Sequence, residues 1–515
     1  MLKSISLPEF TFMEQQKRSG FSQLINRLAS ARIWTWVWGA AVFLLPVTSM
    51  PLVIRLVHSD VVGAPSSLIL ALFMLGWFLP RLCAGEKIAQ NGSLLTLFII
   101  AALFSTAVSF FRQIPVYKNS NTITPALSAV LTLFIGFCFY LGSALWNQDP
   151  KRLKLTLRLV NWSGLFVLLW TLTQAFFWYK DFRYPQWMKT IQFSISAGSL
   201  YRQRFVGFTL EPSWLAHQLN LLYLPYWFAA SITGFSAHSR RGKFLTFERL
   251  LFLSGMAVLF LTLSRVGLAA FLLTVLFFVI QAARKWIARL AIKSAGNRTD
   301  ERAVASHRKI LTFVFSLAIL TAAAGLLVLL GWLLSKLDFR MRSLFSLDWR
   351  GRSDPVYYIA EKLSLAARFV YWDAGLGIFH RHPLLGVGLG HAGFYLPGEL
   401  NAYALKLIEV RKLLFRSDTL MNIKSLWIRI LAETGIAGFS CFVIWLLRVR
   451  IKSQQALKGA SALMRTMGWM GCFVCLAFLL EGFSLDTFAM PYVWFSTGMV
   501  SALVDAYPSA PEQAQ

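Results

Sequence analysis

Acidic residues are scarce: 23 Asp and Glu stand against 51 Lys and Arg, giving a formal net charge of +28 over 515 residues. Charged residues of both signs make up 14% of the chain and hydrophobic ones 57%, a balance that excludes an ordinary soluble domain. Cysteine is sparse too. Cys83, Cys138, Cys441, Cys472 and Cys475 all fall in or beside apolar runs, so no disulfide framework is implied. Cys472 and Cys475 have a redox or metal spacing, but inside an apolar helix they read as packing. No internal repeat is evident. The polar segment 1–32 is expected to hold no cleavable signal, because the first apolar run comes late and is too long for one.

What the chain has is apolar runs, at 33–57, 67–82, 94–111, 124–146, 159–178, 212–232, 250–263, 266–283, 310–334, 425–447, 468–483 and 488–506. A helix is the open segment that satisfies its own backbone in lipid. The expected fold is therefore all-α: a polytopic integral membrane helix bundle of about twelve transmembrane helices, with one large periplasmic loop containing short amphipathic helices. It divides into a cytoplasmic segment 1–32, nine spans within 33–334, the loop 335–424, three spans within 425–506 and a cytoplasmic tail 507–515.

Basic residues set the orientation. Lys151, Arg152, Lys154 and Arg158, eight residues from Arg284 to Lys309, and Arg448, Arg450 and Lys452 occupy alternate connections, whereas 58–66 and 484–487 hold none. By the positive-inside rule both termini are expected to be cytoplasmic, as in a multi-pass bacterial inner-membrane protein. Much of the net charge is thus a topology signal and implies no nucleic acid. Topology leaves unexplained the basic content of the outer segments 179–206 and 335–424, which an anionic partner would account for.

A ninety-residue outer loop is a place to look for function. Within it Ile359, Leu363, Ala366 and Val370 recur at helical spacing, with Glu361 and Arg368 opposite and Leu365 and Trp372 breaking the polar face, as in a helix at the interface. The run 381–397 carries Gly386, Gly388, Gly390 and Gly393 and reads as a flexible, turn-rich stretch.

Chemistry is expected at the outer rim. Ser264-Arg265 joins two apolar runs with almost no loop, and a charge near membrane depth costs roughly 2.5–3.5 kcal/mol at mid-helix by insertion scales, so a functional partner is expected; snorkelling to headgroups is the alternative. Tyr201-Arg202-Gln203-Arg204 precedes Gly207-Phe208-Thr209-Leu210-Glu211-Pro212-Ser213-Trp214. Pro212 suits a first helical turn, and the free amides there attract phosphate. Glu211 beside them fits a carboxylate that handles a hydroxyl proton, or a helix cap paired with Arg204. His217 and Ser213, one turn apart, read as a packing hydrogen bond or a dyad. The outer segments hold no Asp-x-Asp pair or histidine cluster, and His380 and His382 stand alone before Pro383, so no metal is expected.

The segments Arg204…Gly207…Glu211-Pro212-Ser213, Leu263-Ser264-Arg265, Arg368…Trp372…His382-Pro383-Leu384-Leu385-Gly386-Val387-Gly388-Leu389-Gly390, and Lys424-Ser425-Leu426-Trp427…Glu433-Thr434-Gly435 resemble, in that order, the bacterial O-antigen ligase and polymerase family. The resemblance covers roughly 202–439. It implies a metal-independent glycosyltransferase, with no cofactor, that uses an undecaprenyl-pyrophosphate-linked glycan as donor and acceptor at the periplasmic face. Paired arginines hold pyrophosphate in that family, and Arg204 and Arg265 match them. Ligases place a histidine just before the helix after the large loop, where Lys424-Ser425 stands here; this departure, with Glu-Pro-Ser, favours a polymerase.

The expected function is polymerisation of O-antigen or exopolysaccharide repeat units, with Glu211, Arg265, Arg204 and Lys424 catalytic and Arg202, Arg368, His217 and His382 binding substrate. Membrane lipid and a chain-length regulator protein are the expected partners. The alternatives are a ligase that moves finished glycan to a lipid A core and, more distantly, a twelve-span transporter of an anionic substrate. Transporters place ionisable groups at mid-membrane and show two related halves, and neither pattern is seen here.

Overall fold

The computed structural model describes residues 32–57, 63–83, 85, 90–238, 246–295, 301–337, 342, 355–362 and 365–506. The expected amino-terminal segment, the tail beyond 506, Leu363 and most of 338–354 lie outside the described residues.

Among the described residues the chain is helical, with no strand. Seven helices are long and apolar enough to cross a membrane: Pro65–Cys83, Gly92–Ser109, Ile123–Trp146, Pro150–Asp181, Arg265–Ile287, Leu426–Ala456 and Ala462–Glu481. A helix occupies each of the twelve apolar runs, but several are shorter or broken. The run 33–57 splits into Ile33–Phe43 and Pro51–Val57. Its intervening segment is held to the segment 197–210, because Thr48 Oγ1 accepts from Leu210 N at 3.1 Å and the Ser49 carbonyl accepts from Ala197 N at 2.7 Å.

The run 212–232 is likewise interrupted. Pro212–Gln218 passes through a π-helical turn, Leu219–Tyr223, into Leu224–Thr233. Pro225 has no N–H to return to the Leu221 carbonyl, so that carbonyl needs another donor. Ser496, on Pro491–Ala506, supplies it at 2.7 Å. The interior is rich in aromatic side chains: Trp38, Trp77, Trp227, Trp445 and Trp494 are fully buried.

The region after 355 is an ordered subdomain. Pro355–Lys362, Ala366–Arg381, Ala392–Glu399, a 3₁₀ turn Ala402–Lys406 and Ile408–Phe415 follow in order. Val370, Tyr371, Ile378, Leu396, Val410 and Met421 form its own core, which continues onto Ile428 and Ala432 of Leu426–Ala456. Two expectations are corrected here. The helical spacing from Ile359 to Val370 belongs to two helices, Pro355–Lys362 and Ala366–Arg381, with a break between them. The glycine run is docked by its backbone: Val387 N donates to the Ala432 carbonyl at 3.0 Å, Gly388 N to Glu433 at 2.9 Å, and Ile436 N returns to Pro383 at 2.8 Å.

Candidate functional site

Several helix ends meet at one end of the bundle. The turn 262–264 links Phe247–Leu261 to Arg265–Ala295 with no other residue between them. Leu263 takes a left-handed φ of 49°, and Ser264 caps the second helix, its Oγ accepting from Gly267 N at 3.4 Å. Arg265 is therefore the first residue of a long helix, half-buried beside that helix's positive end.

Arg204 is brought to the same turn. Its Nε donates to the Thr262 carbonyl at 3.4 Å, and Phe205 N donates to Leu261 at 3.4 Å. The segment is positioned by buried Gln174. Its Oε1 accepts from Val206 N at 3.2 Å and Gly207 N at 3.1 Å, while its Nε2 donates to the Gly207 carbonyl at 3.1 Å. Gly207, at φ 57°, makes the turn towards Glu211. Arg202 is exposed nearby.

Glu211 is the N-cap residue of Pro212–Gln218, with Pro212 in the first turn as expected, but its side chain does not cap. The exposed carboxylate accepts from Ser213 Oγ at 3.2 Å. Tyr201 senses the site: burial raises its phenol above the ordinary range, Glu211 adds to the rise, and Arg204 opposes it. Glu211, Arg204 and Tyr201 are thus electrostatic neighbours.

The Ser213–His217 dyad does not form. Ser213 serves Glu211, and His217 Nδ1 pairs instead with Glu481 Oε2 at 2.5 Å, both side chains almost fully buried. Asn220, in the π-helical turn, bonds Glu481 Oε1 at 2.5 Å and the Gly267 carbonyl at 2.7 Å. A Cβ on Gly267 would lie 2.5 Å from Ala216 Cβ, so the start of the Arg265 helix packs tightly on the helix of His217. Glu481 was missed from the sequence. The available signal was a carboxylate closing an otherwise apolar run.

The segment that follows Glu481 reaches the loop subdomain. The Gly482 carbonyl accepts from Leu426 N at 2.8 Å. Arg368 Nη1 donates to the Lys424 carbonyl at 3.3 Å and to Ser484 at 3.5 Å, and Trp372 Nε1 donates to Lys424 at 3.5 Å. Arg368 and Lys424 therefore adjoin the Glu481 side of the site, with the Arg368 guanidinium holding the Lys424 backbone.

His382 lies apart. It ends Ala366–Arg381 and packs edge-on against Tyr395 with ring centroids 5.6 Å apart. Burial pulls its imidazole below the ordinary value, and Arg112 and Arg381 push the same way against Glu399. Among the described residues, its neighbours are Tyr395, Arg112, Arg381 and Glu399 rather than Arg204 or Arg265. Among the described residues, no group of three or more His, Cys, Asp or Glu side chains is placed to hold a metal ion.

Arg204 is thus held at the turn that starts the Arg265 helix, with the Glu211 carboxylate in the same neighbourhood. Residues 250–443 match the model of a family described as O-antigen ligase. That stretch contains Arg265, Arg368, His382 and Lys424, whereas Arg202, Arg204, Glu211 and His217 precede it. No curated protein matches the chain.

Proposed function

We propose that this chain, which carries an O-antigen ligase family domain at residues 250–443, is a membrane glycosyltransferase that lengthens undecaprenyl-pyrophosphate-linked glycans at the periplasmic face of the bacterial inner membrane. The observation that carries the reading is the docking of Arg204 on the Thr262 carbonyl, three residues before Arg265. The Arg204 guanidinium and the positive end of the helix that begins at Arg265 gather at that turn.

Transfer from a lipid pyrophosphate breaks the bond between the anomeric carbon and a phosphate oxygen, and leaves the departing diphosphate with added charge. A guanidinium at about 4 Å contributes on the order of 4 kcal/mol of Coulomb attraction at an effective dielectric near 20, before desolvation is subtracted. Arg204 and Arg265 are the groups assigned to that charge. Glu211, exposed beside Arg204, takes the proton of the attacking hydroxyl. Lys424 supports the phosphate from the subdomain side, Arg368 holds the Lys424 backbone, and Arg202 draws the anionic substrate to the rim. In the proposed topology of about twelve passages, the basic connections face inside and this end of the bundle faces outward.

Lys424-Ser425, where a ligase would carry histidine, favours polymerisation. The ligase reading retains support from the description of the matching family. Purified protein supplied with lipid-linked repeats alone is expected to lengthen them. A requirement for a lipid A core acceptor would establish the ligase reading instead. Arg265→Ala is expected to lower joining by at least about a hundredfold, the scale of one lost transition-state donor, with normal protein in the membrane; unaltered polymer length in that variant would refute the assignment.

A further inference from the structure

A second cleft, of mixed polar and apolar lining, borders the segment that follows Glu481. It has a volume of about 570 Å³ and opens between the first turns of Ile123–Trp146, residues 419–423 and residues 486–487. That volume falls within the roughly 300–1,000 Å³ range of small-molecule sites. Its walls carry Thr124, Ser128, Thr419, Asn422, Asp486 and Thr487, a set of hydroxyls, one amide and one carboxylate.

Arg429 and Glu433 form its floor. Their ion pair spans 2.9 Å, with the Glu433 side chain 4% exposed. The floor is fixed from behind, because Ser105 Oγ donates to the Glu433 carbonyl at 2.9 Å and Arg429 Nη1 bonds the Asp486 carbonyl. Among the described residues, neither the Asp486 carboxylate nor the Asn422 amide hydrogen-bonds to another side chain, and both line the cleft. Asp486 and Thr487 also border a smaller cleft of about 260 Å³ that reaches Leu210 and Trp214, on either side of Glu211. Asp486 thus lines both clefts, one of which reaches the chain neighbours of Glu211.

We propose that the larger cleft is a saccharide subsite that seats the sugar of the accepting glycan, with Asp486 and Asn422 bonding its hydroxyls. The proposal rests on the glycan-joining reading above. A carboxylate accepts hydrogen bonds and donates none, so it matches the hydroxyl donors of a sugar and repels phosphate. A diphosphate therefore belongs with Arg204 and Arg265, and the uncharged part of the acceptor belongs here.

The test uses full-length protein in detergent and the repeat-unit oligosaccharide released by mild acid from the lipid-linked glycan of the same cells, with binding read by saturation-transfer NMR and calorimetry. Wild type is expected to bind. Asp486→Asn is expected to weaken binding about tenfold, the scale of one charge-assisted hydrogen bond, and Ser128→Trp to abolish it by filling the cleft. Asn422→Ala, at an exposed position, repeats the measurement should Asp486→Asn fold poorly. Arg265→Ala is expected to bind the oligosaccharide as wild type does. Absence of binding by wild type, or wild-type binding by both the Asp486 and Ser128 variants, overturns the subsite. Oligosaccharide binding that follows these expectations, together with full joining activity in Arg265→Ala, leaves the subsite standing and removes the proposed mechanism.

Discussion

His217 Nδ1 and Glu481 Oε2 meet at 2.5 Å where the helix of Glu211, the start of the Arg265 helix and the end of Ala462–Glu481 come together. Asn220 ties the same carboxylate to the Gly267 carbonyl, so one buried acid sets the spacing of three elements. Removing one partner of a buried polar pair strands the other at a cost of about 1–3 kcal/mol. Glu481→Ala is expected to lower the thermal unfolding midpoint in detergent and to reduce the amount of protein in the membrane. Glu481→Gln retains an oxygen for Asn220 and is expected to lose less. Equal midpoints for wild type and Glu481→Ala would remove the structural role.

Lys424 holds a left-handed φ of 60°, a conformation that costs a residue with a Cβ about 1–2 kcal/mol. Arg368 and Trp372 secure it by bonding its carbonyl. Lys424→Gly relieves that cost while deleting the ammonium. Its expected signature is a midpoint no lower than wild type, with glycan joining reduced at least about tenfold, equivalent to 1.4 kcal/mol. Full activity in the glycine variant would assign Lys424 to backbone geometry alone.

The helices were legible because apolar runs of spanning length announce themselves, and Arg204, Glu211 and Arg265 were legible as charges at the rims of such runs. Their convergence was less so: nothing in the spacing of Arg204 and Thr262 reveals the bond between them. The interruption at 44–50 exists to receive Leu210 and Ala197, and the π-helical turn at 219–223 places Asn220 on Glu481, both tertiary facts without a periodic trace. The glycine run was misread as mobile because a left-handed turn has the same sequence signature whether free or docked. What holds it is Ala432 and Glu433, more than forty residues away.

His382 gives a pH dependence with a definite sign. Burial, with Arg112 and Arg381, lowers its imidazole below the ordinary value, so the folded protein binds fewer protons there than the unfolded chain. Its contribution is complete above the unfolded value near ~6.5 and declines as pH falls through it towards the lower folded value. His382→Phe keeps a ring against Tyr395 and removes the titration. Relative to wild type, its unfolding midpoint is expected to improve between pH 8 and pH 5, approximate settings chosen to bracket that window. A constant difference across that range would dismiss the effect. Joining activity is expected to persist, since His382 lies away from the arginine pair.

The docked glycines make the sharpest structural prediction. Gly386 has φ 68°, and a Cβ there would lie 2.5 Å from the Glu433 carbonyl carbon, inside the backbone of the facing helix. Gly435, at φ 62°, interrupts Leu426–Ala456 and turns its own bare Cα towards Leu384. Each glycine allows the other strand of backbone to approach, and the pairs Val387 with Ala432 and Ile436 with Pro383 depend on both. Gly386→Ala therefore combines a disfavoured φ with a clash against atoms that have no rotamer to move, costing about 1–3 kcal/mol or more. The subdomain is expected to detach from Leu426–Ala456, which limited proteolysis within 355–424 detects while Ala462–Glu481 remains protected. Gly398→Ala, where a Cβ meets nothing within 4 Å, is the control and is expected to digest as wild type does. A Gly386→Ala protein as resistant as that control would show that the docking tolerates a side chain, and that the family-like glycine run is not required for backbone pairing.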